Sequence, residues 1–295
     1  MKIVEKGNNM KEFFGKEVTI MTCSDCNTKC KHCYISYDGN FSGEDLYNLC
    51  KQLSKKYLVL LNGTEILLHE EYFDTIILLG QNYLLTNGLA LYNNPALMDK
   101  LRDIGIKYID MSYHIGIHDD ISFVKQEIIK KNILDLLKRD IKTELRITLN
   151  KDNYNQLLEI CDIAYKLQAA GIKFTNYMNI GNATNLDIDN ALSDEQLKVF
   201  FGQLREVRSI YNKDEFLIRR CGSFEKDYNN VNDKFICPAG KSSVVITPNY
   251  DVYPCFFLTQ KGNEIGKVID GKIFIDEEFE NDGTKCLARR RFNNR

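Results

Sequence analysis

From Glu17 to about Ile180, short apolar runs of β type alternate with helical patterns. The runs are EVTIMT (17–22), YLVLLN (57–62), NYLLTNG (82–88), KYIDMSY (107–113), ELRITLN (144–150) and IKFTNYMNI (172–180). Between them lie GEDLYNLCKQLSKK, NNPALMDKLRDIG, DDISFVKQEIIKKNILDLLKR and YNQLLEICDIAYKLQAAG, whose apolar positions recur at helical spacing. The link EILLHEEYFDTIILLGQ is less regular. Alternating strand and helix predicts an α/β chain with a parallel sheet and helical crossovers. Six such units suit a partial (β/α)6 TIM-like barrel, in which chemistry gathers at the carboxyl ends of the strands.

The pattern changes after Ile180. DNALSDEQLKVFFGQLREVRSIY reads as one more helix, capped by Ser193 or Asp194. From about Cys221 the chain carries three of its four prolines, four of its ten cysteines and a hairpin pattern in SVVITPNYDVYPCFFL. The expected organisation is an N-terminal extension (1–16), a barrel (17–220) and a small cysteine-containing hairpin/helix domain (221–295).

Composition narrows the function. A net charge of −2 over 295 residues gives no electrostatic case for nucleic acid or an anionic membrane. The start, MKIVEKGNNMKEFFGKEVTI, lacks the apolar core of a signal peptide, and no apolar run reaches membrane-spanning length. A cytoplasmic protein is expected. There, thiols stay reduced, so ten cysteines are not a disulfide framework, and metal ligation is the leading explanation.

Four of these cysteines fall in TCSDCNTKCKHCY, as Cys23, Cys26, Cys30 and Cys33. Paired zinc knuckles normally stand a dozen or more residues apart, and three residues leave little room to fold back into a tetrahedron. The other option is Cys26, Cys30 and Cys33 as ligands to three corners of a [4Fe–4S] cluster, with the fourth iron open. Cys23 ends the first strand and is expected to be buried. Cys50 and Cys161 sit on apolar helical faces and are expected in the core.

CNTKCKHCY, placed after the first strand of a repeating β/α chain, resembles the CxxxCxxC motif of the radical S-adenosylmethionine (SAM) superfamily, down to an aromatic, His32, before the third cysteine. LNGTEILL after the second strand resembles the GGE-type element that meets the SAM amine; Gly63 and Glu65 match, and Thr64 replaces the second glycine. The resemblance places Ser112 near the SAM ribose and Arg146 near the SAM carboxylate, with His32 and Tyr34 beside the cofactor. It implies a [4Fe–4S] cluster, SAM, and an electron donor such as flavodoxin or ferredoxin. It also implies reductive cleavage of SAM to a 5′-deoxyadenosyl radical, which takes a hydrogen atom from a substrate.

CPAGKSSVVITPNYDVYPC resembles the opening of a SPASM/Twitch auxiliary domain, with Tyr250 where the family usually has glycine and Asn249 expected to supply the tight turn. The resemblance makes Cys221, Cys237, Cys255 and Cys286 an auxiliary site. Three contents stay open: a second [4Fe–4S] cluster held by all four thiols, a cluster on three of them, or a fold retained with zinc or no metal.

His114 and His118 have a metal-like HxxxH spacing, but at a strand-to-loop junction, where packing is the expected role. Tyr113, His114, Glu144, Asn176, Tyr177 and Asn179 lie near strand ends and are the pocket candidates; strand alternation turns about half of such residues outward. Arg219 and Arg220 are candidates for a substrate acid or phosphate, against a solvated face. The basic tail LARRRFNNR reads as a solvated terminal helix.

Few residues precede the first strand, so no leader-gripping N-terminal domain is expected. That tilts the substrate toward a small polar metabolite (a sugar, nucleoside, modified nucleobase or amino acid) undergoing bond cleavage, rearrangement or dehydrogenation. A peptide maturase, a base-salvage lyase on a queuine-type deazapurine and a non-catalytic iron–sulfur or zinc protein are the alternatives.

Overall fold

Each of the six apolar runs contains a strand. A computed structural model describes residues 9–185, 190–211, 213–227 and 229–292. The start of the N-terminal extension (1–8) and the end of the basic tail (293–295) lie outside the described residues. The strands are β1 (Met10–Glu12), β2 (Glu17–Met21), β3 (Leu58–Asn62), β4 (Tyr83–Thr86), β5 (Tyr108–Ser112), β6 (Lys142–Leu149), β7 (Gly171–Asn176), β8 (Leu217–Arg220), β9 (Ser243–Ile246), β10 (Asp251–Tyr253), β11 (Gly266–Ile269) and β12 (Lys272–Asp276). The helices are α1 (Gly43–Leu53), α2 (Phe73–Leu79), α3 (Leu89–Asn93), α4 (Ala96–Asp103), α5 (His118–Ile121), α6 (Gln126–Leu137), α7 (Leu157–Lys166), α8 (Asp194–Ile210) and α9 (Leu287–Phe292).

Strands β2 to β8 run parallel to their neighbours, with helices between most of them. The seventh of these, β8, is an addition to the six expected. Its pattern is one buried residue, Ile218, among exposed and half-buried ones, so LIRR carries no apolar run to announce it. Two expected helices are split. NNPALMDKLRDIG becomes α3 and α4, with Pro95 at the cap of α4. The long pattern after Asp119 breaks at Ser122 into α5 and α6. α8 starts as read: the Ser193 hydroxyl accepts from Gln196 N at 3.3 Å in a complete capping box.

The barrel is open. β4 to β8 form a five-stranded parallel sheet, whereas β2 and β3 belong to a second sheet of order β1-β12-β11-β10-β9-β2-β3. Among the described residues no ladder joins β3 to β4. The side chain of Gln81 spans the seam instead: its amide accepts from Leu61 N at 2.7 Å and donates to Leu61 O at 3.1 Å and Tyr83 O at 2.9 Å. A buried side-chain amide thereby stands in for the backbone pairing that the seam lacks.

The C-terminal strands extend this second sheet. β9 pairs parallel with β2, β9 to β12 form an antiparallel meander, and β1 closes it against β12. The β9–β10 hairpin is where the sequence placed it, but its turn differs. Tyr250, not Asn249, holds the left-handed position, at φ 60°. Its ring packs edge-on against Phe41 at 5.3 Å, a contact that offsets the backbone strain.

Candidate functional site

The loop after β2 is held from three sides. At its base Cys23 bridges to Asn40, Ser24 N donates to Gly39 O at 3.0 Å, and the Tyr37 hydroxyl donates to Cys23 O at 2.6 Å. From the turn after β4, Asn87 Nδ2 donates to Asn27 Oδ1 at 2.8 Å and reaches Cys26 Sγ at 3.6 Å. From the segment after β7, Asn182 N donates to Cys33 O at 2.8 Å and its Nδ2 to Cys30 O at 3.3 Å. Gly181 makes that approach possible: a Cβ there would lie 2.4 Å from Cys33 O. Lys31 N donates to Ile121 O of α5 at 3.1 Å.

So held, Cys26, Cys30 and Cys33 all line one cavity of about 740 Å³. The Thr28 hydroxyl sits between two of the thiols, 3.2 Å from Cys26 Sγ and 3.6 Å from Cys30 Sγ. Burial pushes the Cys33 thiol up to about 11. Cys23 stands apart. It is fully buried, does not line the cavity, and bonds its own neighbour Thr22. Among the described residues no three His, Cys, Asp or Glu side chains are arranged to hold a single metal ion.

Of the cofactor candidates, His32, Tyr34, Gly63, Thr64, Ser112 and Arg146 line this cavity. Gly63 also has a packing reason to be glycine, because a Cβ would stand 2.7 Å from Thr22 Oγ1. Glu65 lies behind the wall. It is fully buried and clamps the end of β4, accepting from Thr86 Oγ1 at 2.7 Å and from Asn87 N at 2.8 Å. Desolvation raises its carboxyl to about 7. Arg146 pairs with the buried Asp110 of β5, which fixes its guanidinium at the cavity floor.

Of the pocket candidates, His114, Asn176 and Tyr177 line the cavity, whereas Tyr113, Glu144 and Asn179 do not. Tyr113 donates to Gln126 at 3.3 Å, and Glu144 pairs with Arg219. Both histidines of the HxxxH spacing engage backbone N–H groups through Nδ1. His114 Nδ1 accepts from Thr148 N at 3.0 Å, and His118 Nδ1 accepts from His114 N at 3.1 Å. Burial holds His114 well below the usual imidazole range, so it is neutral, with the proton on Nε2. Arg220 bonds both oxygens of Asp233 at 2.8 Å.

The second cysteine set converges in an apolar cluster. Cys237 and Cys286 are buried with Met178, Phe257, Leu258 and Leu287, and Cys221 and Cys255 pack at its edge. Burial, and then the other three thiols, raise Cys255; burial raises Cys286 to about 12. Glu225, buried beneath, accepts from Cys286 N at 2.9 Å and faces Arg289 at 3.6 Å. Only Cys221 of this set reaches the main cavity. Tyr34 lies between the two sites, edge-on to Phe257 at 5.0 Å.

Solved structures share this fold. The enzyme anSMEcpe with bound AdoMet superposes with a TM-score of 0.67 at 15% identity, covering 87% of this chain and 78% of that one. SuiB of Streptococcus suis, solved with its precursor peptide SuiA, gives 0.64 at 14% identity over 84% of this chain and 61% of SuiB. This is the partial-barrel fold of the radical SAM enzymes. Among curated proteins, pre-heme d1 synthase of Dinoroseobacter shibae is 31% identical over 158 residues, 46% of this chain and 38% of that protein. The chain thus spans less than two thirds of that relative and of SuiB. No family model matches it.

On the radical SAM fold, the residues fit a cluster at the first loop. Three thiols face one cavity from a loop anchored by hydrogen bonds from Asn87 and Asn182, and a cube spreads its ligands over separate irons rather than one point. Several wall residues escaped the sequence reading. Asn87 and Asn182 shape the loop, Thr148, Lys173 and Thr175 line the floor and wall, and Phe256 and Phe257 close the far side. Strand alternation alone puts Lys173 and Thr175 on one face of β7, a signal present in KFT.

Proposed function

We propose that the chain is a radical SAM enzyme acting on a small polar molecule. The observation that carries this is the convergence of Cys26, Cys30 and Cys33 with Ser112 and Arg146 on one cavity at the strand ends. A [4Fe–4S] cluster on the three thiols would pass one electron to SAM, giving methionine and a 5′-deoxyadenosyl radical that abstracts hydrogen from the substrate. The chain's residues do the rest. Arg146, oriented by Asp110, meets the SAM carboxylate, and Ser112 beside it meets the ribose. Asn87 and Asn182 hold the loop so that one corner of a cluster stays open to the cavity. Tyr34, Phe256 and Phe257 wall off water and stray hydrogen donors. Cys221, Cys237, Cys255 and Cys286 hold an auxiliary [4Fe–4S] cluster.

The polar floor of a cavity of about 740 Å³ supports a metabolite-sized substrate. A peptide substrate is the second reading, favoured by the precursor peptide bound to SuiB. Anaerobic reconstitution with iron, sulfide, SAM and dithionite tests the activity. About four irons at the triad and steady formation of 5′-deoxyadenosine are expected. Negligible iron, or no 5′-deoxyadenosine, rules the reading out.

A further inference from the structure

The floor of the cavity carries one positive charge too many. Ser112, Arg146, Lys173 and Arg219 are register partners across β5, β6, β7 and β8, and register partners in a parallel sheet project from the same face. Two residues earlier on β5 and β6 stand Asp110 and Glu144, register partners of each other and both buried. The acids are taken one to one: Asp110 pairs with Arg146, and Glu144 with Arg219. Lys173, between the two arginines, is given neither a hydrogen bond nor an ion pair by the described residues. It nonetheless lines the cavity.

Such a placement is unfavourable unless something answers it. Arg146 and Arg219 stand on the strands either side of Lys173, so like charges flank it in the sheet, with the Cys221 thiol and the already paired Asp110 as the opposing groups nearby. A lysine serving only the fold would snorkel to water or meet a carboxylate. The wall above supplies the complement of a polar ligand. Thr148 and Thr175 are register partners two positions further along β6 and β7, and both line the cavity. The cavity therefore grades from a cation at its floor, through hydroxyls, toward the thiols of the first loop, with aromatic rings closing its far side.

We infer that Lys173 anchors an anionic group of the substrate, a carboxylate or a phosphate. The inference rests on the reading of the chain as an enzyme for small polar molecules and specifies that class. It also orients the ligand. The anion sits at the floor, the neighbouring hydroxyls or carbonyls meet Thr148 and Thr175, and the reacting end points toward the three-cysteine loop. Lys173 is a specificity-determining residue and takes no part in cleaving SAM.

The test uses the anaerobically reconstituted full chain and simple probes: sodium acetate, acetamide as its neutral isostere, and inorganic phosphate, each titrated by calorimetry. Wild type should bind acetate or phosphate and not acetamide. Lys173→Gln and Lys173→Met should weaken anion binding by about tenfold, and Lys173→Arg should retain most of it. Whichever of acetate and phosphate binds more tightly identifies the kind of anion. Because the ammonium has no partner to lose, Lys173→Met should melt no lower than wild type. Equal anion affinity in wild type and Lys173→Gln overturns the inference, as does absence of anion binding in wild type. Loss of SAM affinity in Lys173→Gln also overturns it, by assigning the ammonium to the SAM carboxylate. Failure of wild type to form 5′-deoxyadenosine would remove the enzyme reading while leaving the anion result to stand or fall separately.

Discussion

Cys26, Cys30 and Cys33 sit on an irregular loop, exposed or half-buried, with a threonine hydroxyl and an asparagine amide beside their sulfurs. Cys237 and Cys286 are buried among Phe257, Leu258 and Leu287, with Cys221 and Cys255 at the edge. The first set is positioned by polar contacts from three elements that meet only in the folded barrel. The second is embedded in an apolar cluster of its own. A loop held at its backbone can leave one side of a cluster open to a ligand, whereas a quartet enclosed by side chains favours a closed, insulated group. Each set also has a buried carboxylate behind it, and these differ in the same sense. Glu225 faces Arg289, while Glu65 has only neutral donors.

The widest separation should come from removing the thiols. Cys26→Ala/Cys30→Ala/Cys33→Ala should abolish 5′-deoxyadenosine formation and remove about four irons per chain, while an exposed loop keeps the stability change within about 0.5 kcal/mol for Cys26. Iron counting with a denaturant melt checks both, and retained iron at the loop would undo the contrast. Next comes Phe257→Ala. Phe257 is 3% exposed, and truncating a buried phenylalanine costs about 3–5 kcal/mol. The denaturation midpoint should fall accordingly, with iron at the second set lost before iron at the first.

The carboxylates give a pH test. The Glu65 carboxyl is near 4.5 when unfolded and about 7 when folded, so the folded chain holds its proton more tightly. Its contribution is present below the unfolded value and is lost as pH rises from 4.5 to about 7. The stability cost of Glu65→Ala should therefore shrink over that window, by an amount on the order of 3 kcal/mol. Parallel melts of wild type and variant at several pH values measure it, and a cost that grows with pH would contradict the assignment. The smallest expected effect is Gly181→Ala. Its φ of 59° and the 2.4 Å approach to Cys33 O leave no room for a methyl group. A cost of about 1–3 kcal/mol is expected, read as slower iron loading at the first loop with the second set unaffected.

The strands and the three-cysteine loop were legible because their signals are local. Alternation and cysteine spacing survive in any stretch of a dozen residues. What escaped depends on distant pairs. Lys173 draws its meaning from Asp110 and Glu144, already claimed by Arg146 and Arg219 on neighbouring strands. Glu65 matches a motif by position, yet its carboxylate is drawn away by the Thr86–Asn87 turn. β8 was missed because an edge strand of LIRR buries one residue. Tyr250 took the left-handed position because Phe41, far away in sequence, supplies its packing.

The pairing of β2 with β9 sets an order of events during synthesis. Glu17 finds its partner Ser243 only when most of the chain has been made, and Met10 waits longer still for Asp276. Until then the strand that carries the cysteine loop presents one bare edge, the kind that recruits other chains. The five-stranded sheet can assemble on its own schedule, since its partners follow one another in sequence. A ribosome that stalls before Ser243 would release a chain with every barrel strand made but that edge of β2 still open, so truncation in this region should yield aggregates rather than a smaller working domain.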